Sequence, residues 1–379
     1  MRDAVIVEAV RTPVGKRNGG LSAVHPTDLS AYVLRALAER SAIDPAVVDD
    51  VVWGCVSQIG EQTYDIARNA VLGAGWPESV PGTTVDRQCG SSQQAVHFAA
   101  AGLVAGHYDV VVAGGVESMS RVPMGSSLDE RDPLGSLFAE RYGVFPNQGE
   151  GAELIAEKWG FSRTELDELA LRSHERAAAA QDAGRFDAQI VGIETEAGLV
   201  TRDEGIRRGG TVEKLAQLKP AFRPDGVVTA GNASQISDGS AALLMTTSEK
   251  AKELGLRPVA RVHSAAVAGD DPIKMLTAPI PATRKVLDRG GLRLDEIGAF
   301  EINEAFAPVP LAWLHDFAAD EKLVNPLGGA IALGHPLGGS GARIMTTLVH
   351  HMRDQGIRYG LQSMCEGGGQ ANATILELV

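Results

Sequence analysis

Two cysteines, a histidine and an asparagine in this chain each stand where an apolar segment ends and a turn begins. Cys89 lies in Val-Asp-Arg-Gln-Cys-Gly-Ser-Ser-Gln-Gln (85–94), between an apolar lead-in from Val80 to Val85 and a small-residue helix pattern. A helix N-terminus carries roughly +0.5 charge and unpaired N–H groups. A thiol placed there is expected to have a lowered pKa and to serve as a nucleophile. Read alone, the same residue also fits a small buried hydrophobe.

Four further segments have residue types suited to chemistry. Glu301-Ile302-Asn303-Glu304-Ala305-Phe306 ends a strand in an amide at a helix entry. Asn325 to Gly341 is a glycine-rich run that contains His335, with Pro336 fixing the turn behind it. Met364-Cys365-Glu366-Gly367-Gly368-Gly369-Gln370 sets a second cysteine before three glycines, and Thr229 to Gly239 is a polar loop between apolar segments. Each has a plainer reading: Asn303 as a helix N-cap, His335 as a turn histidine, Cys365 as core. Cys55 is read as core in an apolar strand. Taken together, two cysteines, a histidine and an asparagine at strand or turn ends fit acyl transfer through a thioester. Such chemistry needs a nucleophile, a second acid/base for the carbon, and preorganised donors for the oxyanions.

The elements that must position these residues alternate between strand and helix. Strands are expected at Ala4–Ala9, Asp50–Cys55, Val110–Ala113, Ala241–Thr246, Val259–Ala266, Ile297–Ile302 and Leu361–Met364. Helices are expected over 28–40, 67–72, 90–105, 282–288 and 343–352. Ser162 and Glu165 form a capping box that opens a helix through about Ala180. Residues 1–117, completed by about 229–250, form one half, and residues 251–379 a second, similar half. The charged, helical block 118–228 reads as an insertion. In each half a Gly/Ser-rich turn starts a small-residue helix, and a buried strand with a glycine pair or triplet follows. Two such halves place Cys89 and the Gly334-His335 turn at equivalent helix starts that face one another.

Composition narrows the function further. The 379 residues exceed one hydrophobic core. Forty-four glycines with 5% aromatic residues suit close packing in an α/β protein. A net charge of −13 opposes binding to nucleic acid or anionic membranes. Three unequally spaced cysteines form neither a disulfide framework nor a metal pattern, so no metal site is expected, and a reducing cytoplasm is the natural setting. The strand-like N-terminus leaves no room for a signal peptide, and no apolar run is long enough to span a membrane.

These motifs resemble those of the thiolases, and the resemblance covers essentially the whole chain. Cys-Gly-Ser, Asn-Glu-Ala-Phe, Gly-His-Pro-x-Gly-x-Ser-Gly and Cys-x-Gly-Gly-Gly occur in family order. The fold this implies is two similar βαβαβαββ halves in a five-layered α/β/α/β/α core with an inserted loop domain. By resemblance, Cys89 takes the acyl group, His335 activates it, and Cys365 is the acid/base for the acetyl carbon. Asn303 holds a water of the first oxyanion hole, and the N–H groups of Cys89 and Gly367 form the second. Arg207, Phe222, Ala230, Ser234, Ile236, Ala305 and Phe306 match positions that contact coenzyme A, which is a substrate; no permanently bound cofactor is implied. Residues 201–223 hold six Lys/Arg against three acids, as an anionic ligand would favour. The family also implies a homodimer or homotetramer.

The chain departs from the short-chain pattern at Ser92 and at Asn147-Gln148-Gly149-Glu150-Gly151-Ala152-Glu153. The expected activity is therefore degradative, on fatty-acid or steroid-derived 3-ketoacyl-CoA. A biosynthetic acetoacetyl-CoA thiolase is the alternative. A ketoacyl-synthase-like condensing enzyme is opposed by Cys365 and Asn303.

Overall fold

The computed structural model describes residues 2–128, 131–143 and 147–379. Residues 129–130 and 144–146 of the 118–228 block lie outside the described residues. The first part of the chain holds β1 (Val5–Arg11), β2 (Gly15–Lys16), α1 (Pro26–Ser41), β3 (Asp50–Gly54), α2 (Ile66–Gly73), β4 (Thr83–Val85), α3 (Ser91–Ala105) and β5 (Val110–Ser118). Next come α4 (Gly135–Tyr142), α5 (Gln148–Trp159), α6 (Arg163–Asp182), β6 (Ile193–Thr195), β7 (Gly198–Val200), α7 (Val212–Ala216), β8 (Ser237–Thr246) and α8 (Ser248–Glu253). The chain ends with β9 (Ala260–Gly269), α9 (Pro279–Gly290), β10 (Ala299–Ile302), α10 (Pro308–Phe317), α11 (Ala330–Leu333), α12 (Leu337–Gln355), β11 (Tyr359–Glu366) and β12 (Gln370–Leu378).

The main sheet runs β10-β11-β12-β9-β1-β8-β5-β3-β4, with β2 on β8. Its two ends repeat one plan. The parallel pair β3–β5 is followed by antiparallel β8 and then β1; the parallel pair β10–β11 is followed by antiparallel β12 and then β9. The two runs meet where β1 pairs with β9 at Val5–Arg261 and Ile6–Ala260. The segment between β5 and β8 adds no named strand to this sheet; β6 and β7 pair only with each other.

Strand alternation divides the core into layers. Val110 and Val112 of β5 pack with Leu29, Leu34 and Leu37 of α1 and Ile66 and Ala70 of α2. Val111 and Ala113 pack on the opposite face with Ala95, Val96, Ala99 and Leu103 of α3 and Ala342, Met345 and Leu348 of α12. Beyond the far half of the sheet, Ile280 and Val286 of α9 and Trp313 of α10 cover Phe300, Leu361, Ala373 and Ile375. Helices α3 and α12 thus form the central layer of a five-layered α/β/α/β/α core. Every residue of β5 and β8 is buried, which explains their unbroken apolar runs.

The central helices approach closely because glycines face neighbouring backbone. A Cβ at Gly341 would lie 2.3 Å from the backbone nitrogen of Gln93. Trp53, fully buried, donates from Nε1 to Ser30 Oγ at 3.1 Å and ties β3 to α1. The capping box at Ser162 and Glu165 is formed, and its helix runs through Asp182.

Three sequence expectations need correction. The strand before Cys89 covers only Thr83–Val85, not the whole 80–85 segment. Cys55 lies just beyond β3 rather than inside it. The last helix begins at Leu337, immediately after the His335-Pro336 turn, where pattern alone placed its start at Arg343.

Candidate active site

Cys89 sits in a tight turn ahead of α3. Gln88 has φ +49°, the Gly90 N–H donates to Arg87 O at 3.1 Å, and the Ser91 N–H donates to Gln88 O at 3.0 Å. Positive φ at a non-glycine residue marks backbone held by its surroundings. Ser91 Oγ supports it by accepting from the Arg87 N–H at 3.0 Å and donating to Gln88 O at 2.5 Å. The helix begins two residues after the cysteine, with Gly90 as N-cap.

The thiol's electrostatics overturn the lowered pKa expected from this position. Burial pushes Cys89 up to about 12, and the charges of Glu366, Glu117 and Asp86 push the same way; its own backbone N–H pulls it partly back. At a depth of 6% exposure, desolvation outweighs the helix start. The resting thiol is neutral.

His335 enters from the other half. Short helix α11 ends at Gly334, whose φ of +99° turns the chain, and Pro336 caps α12. The His335 N–H donates to Gln235 O and Ser237 Oγ, both at 3.2 Å. Ser340 Oγ donates to Pro336 O at 2.8 Å, which leaves it to accept from His335 Nδ1 at 2.6 Å. His335 Nε2 then carries the lone pair, which accepts from the Asn303 amide Nδ2 at 3.5 Å. Burial, with the nearby Arg343 cation second, lowers His335 to about 3, so the resting imidazole is neutral.

Asn303 lies between β10 and α10, but α10 starts at Pro308 with Ala307 as its cap, so the N-cap reading of Asn303 fails. Its N–H donates to Ser363 O at 3.0 Å, and its buried Oδ1 has no partner among the described residues. Asn325, from the glycine-rich run, is a clamp: Oδ1 accepts from Ile302 N at 2.9 Å and Nδ2 donates to Ile302 O at 2.8 Å. That fixes the strand end immediately ahead of Asn303. Cys365 is one residue from the end of β11 and is buried; burial first, then Cys89 and Glu366, raise its pKa.

Cys89, His335 and Cys365 all line one cavity of about 170 Å³. Phe222, Ser234, Ile236, Ala305 and Phe306 line it too. Phe222 and Phe306 meet edge to face with ring centroids 5.8 Å apart. Gly367 lies outside the lining but abuts the Cys89 turn: a Cβ on it would stand 3.0 Å from Gln88 Cγ. Ala230 is exposed and outside the cavity. Arg207 lines a separate cavity of about 310 Å³ with His174, Glu175 and Arg208, and its N–H donates to His174 Nδ1 at 3.0 Å. The basic excess of residues 201–223 is partly neutralised, since Arg208 pairs with Asp182 and Arg223 with Glu150 and Glu157.

Sequence reasoning missed Met119, Met124 and Leu276 as cavity walls. No motif marks them; packing alone brings them there. It also gave no role to Glu117, whose buried carboxylate accepts from Val56 N and Ser57 N, both at 3.0 Å, Gln62 Nε2 at 2.7 Å and Gly338 N at 2.8 Å. Glu117 thereby pins the start of α12 beside β5. Among the described residues no group of His, Cys, Asp and Glu could hold a metal ion.

A buried thiol, a neutral imidazole whose Nε2 carries the lone pair, and a second thiol around one cavity are the groups that acyl transfer through a thioester requires. The thiolase N-terminal domain family matches residues 4–249 and the thiolase C-terminal domain family residues 256–378. The chain is 51% identical to a steroid 3-ketoacyl-CoA thiolase of Mycobacterium tuberculosis, over 100% of this chain and 94% of that protein. It is 47% identical to a 3-ketoacyl-CoA thiolase of Pseudoalteromonas translucida over the full length of both. The Bacillus anthracis acetyl-CoA acetyltransferase superposes with a TM-score of 0.92 at 41% identity, covering 100% of this chain and 99% of that one. The chain belongs to the thiolase family.

Proposed function

We propose that this enzyme cleaves 3-ketoacyl-CoA with coenzyme A in a degradative pathway, through an acyl-enzyme on Cys89. The observation that supports this most is the shared cavity of Cys89, His335 and Cys365, with Asn303 set against His335. His335 Nε2 takes the Cys89 proton as the sulfur attacks the 3-keto carbon, so charge separates only when the substrate is in place. The bond between the second and third carbons breaks. The acyl chain stays on Cys89, and acetyl-CoA leaves as its enolate, which takes a proton from Cys365. The Cys365 thiolate then takes the thiol proton of coenzyme A as its sulfur attacks the thioester, His335 returns its proton to the departing Cys89 sulfur, and the shortened acyl-CoA leaves with both thiols restored. Asn303 serves the first oxyanion with a water held by its amide. The N–H groups of Cys89 and Gly367 serve the second. All bond changes fall to side chains and backbone, so no bound cofactor is required.

Coenzyme A lies across the 118–228 block, with its pantetheine arm entering past Phe222, Phe306, Ser234, Ile236 and Ala305. Arg207, beside Arg208 on the separate cavity, receives the anionic end. Met119, Met124 and Leu276 shape the acyl side. The names of the relatives support 3-ketoacyl-CoA esters, steroid-derived ones among them, as substrates of fatty-acid or steroid breakdown. The enzyme works as a homodimer or homotetramer in the cytoplasm, where its three free thiols stay reduced. The test is a kinetic series of 3-ketoacyl-CoA esters of graded length and ring content, with acetyl-CoA release as readout. Thiolysis that rises beyond acetoacetyl-CoA supports the degradative reading. A preference for acetoacetyl-CoA alone contradicts it.

A further inference from the structure

Glu366 has no part in the chemistry above, yet it lies between the two cysteine turns. It follows Cys365 at the end of β11 and is buried. Its Oε1 accepts the Asn372 N–H at 3.0 Å across the β11–β12 hairpin. Its other neighbour is Gly90, next to Cys89: a Cβ there would lie 1.9 Å from Glu366 Oε1 and 2.5 Å from Asn372 Oδ1. The carboxyl thus fills the space a side chain at position 90 would need. Its second oxygen, Oε2, has no partner among the described residues, and neither has Asn372 Oδ1.

A buried carboxylate with one oxygen unpartnered is costly, whereas a carboxylic acid brings its own donor to such a site. The charged and titratable groups around it can be named. Arg87, on the Cys89 turn, is the cation whose charge favours ionised Glu366; its Nη1 is engaged with Gln370 Oε1 at 3.0 Å. The two thiols face it from β11 and the α3 turn. His97 of α3, 3.2 Å through Nδ1 from Asn372 Nδ2, is held neutral by burial, and Glu117 and Asp86 add negative charge toward Cys89.

We propose, on the thiolase reading above, that Glu366 is a positioning residue whose carboxyl, wedged under Gly90, sets how readily Cys89 and Cys365 release their protons. An ionised carboxylate there opposes either thiolate; a neutral acid permits it. Burial pushes Glu366 up to about 8, so the acid form is the one present near neutral pH, and ionisation on the alkaline side closes both thiols down together.

The experiment is the pH profile of Cys89 alkylation by iodoacetamide, mapped by peptide mass spectrometry, in wild type, Glu366→Gln and Glu366→Met. Both variants remove the charge at similar volume. On the alkaline side, where wild-type Glu366 is charged, folded variants should alkylate Cys89 about tenfold faster, a change of roughly one pH unit in the profile. Superimposed profiles in a variant with a normal unfolding transition overturn the proposal. If neither variant folds, Glu366 is structural and the proposal also falls. Alkylation needs no turnover, so either failure leaves the nucleophile assignment of Cys89 to be decided by acylation.

Discussion

Ser340 Oγ stands 2.6 Å from His335 Nδ1 while donating its only proton to Pro336 O, so one serine decides which imidazole nitrogen keeps the lone pair. Both residues come from one glycine-rich run, where Gly334 and Pro336 turn the chain and α12 returns Ser340 to the ring. Ser340→Ala removes that acceptor and frees the ring to flip or change tautomer. The expected result is a fall in kcat of about tenfold or more, with KM little changed. Unaltered kcat in a folded variant would show that the Asn303 amide alone orients the imidazole.

Glu117 should matter to both stability and activity. Four donors converge on its carboxylate from the 56–62 segment and from Gly338. Glu117→Ala leaves those buried donors unpaired, at about 1–3 kcal/mol for each group that finds no other partner. Denaturant unfolding should show the loss, and Glu117→Gln, which keeps one acceptor oxygen, should recover part of it. A variant as stable as wild type would mean that water replaces the carboxylate.

Stability should fall on the alkaline side of neutral pH. Burial depresses His97 and His335 to about 3 and His174 and His350 to about 4, below the ordinary 6.5. These groups add stability that is present above 6.5 and is lost as pH falls towards their folded values, because the unfolded chain binds the protons first. Glu301 and Glu366 are raised from 4.5 to about 8, so their contribution is complete below 4.5 and is lost as pH rises through 8. Between 4.5 and 6.5 the two sets oppose one another; above 6.5 only the acids act, and stability declines. Thermal midpoints across this range check the shape. A midpoint still rising between pH 7 and pH 9 would contradict it.

How much of this could be read from the chain depends on whether a feature is local. The turns at Cys89 and His335, the buried run of β5 and the Ser162 capping box are written in neighbouring residues, and the structure has them. The neutral state of Cys89 could not be read locally. Its causes are burial under the central helices and a charge, Glu366, from the opposite end of the chain. Asn303 failed as an N-cap because Pro308, with its fixed φ, starts α10 later. Met119, Met124 and Leu276 reach the cavity by packing and have no spacing that could reveal it.

Cys365 should separate carbon acid/base chemistry from acyl transfer. Cys365→Ala should still accept an acyl group on Cys89 from a simple acyl-CoA. It should exchange the acetyl-CoA methyl protons with deuterated solvent at least about 10²-fold more slowly than wild type. Exchange at the wild-type rate, followed by NMR, would reduce Cys365 to a core residue that happens to line the cavity.

The most direct test is the mass of the protein mixed with a 3-ketoacyl-CoA without free coenzyme A, followed by peptide mapping. The intact chain should gain one acyl group, the adduct should map to Cys89, one acetyl-CoA should be released per acyl group bound, and Cys89→Ala should gain none. An adduct on Cys55 or Cys365, or acetyl-CoA release by the Cys89→Ala protein, would contradict the account.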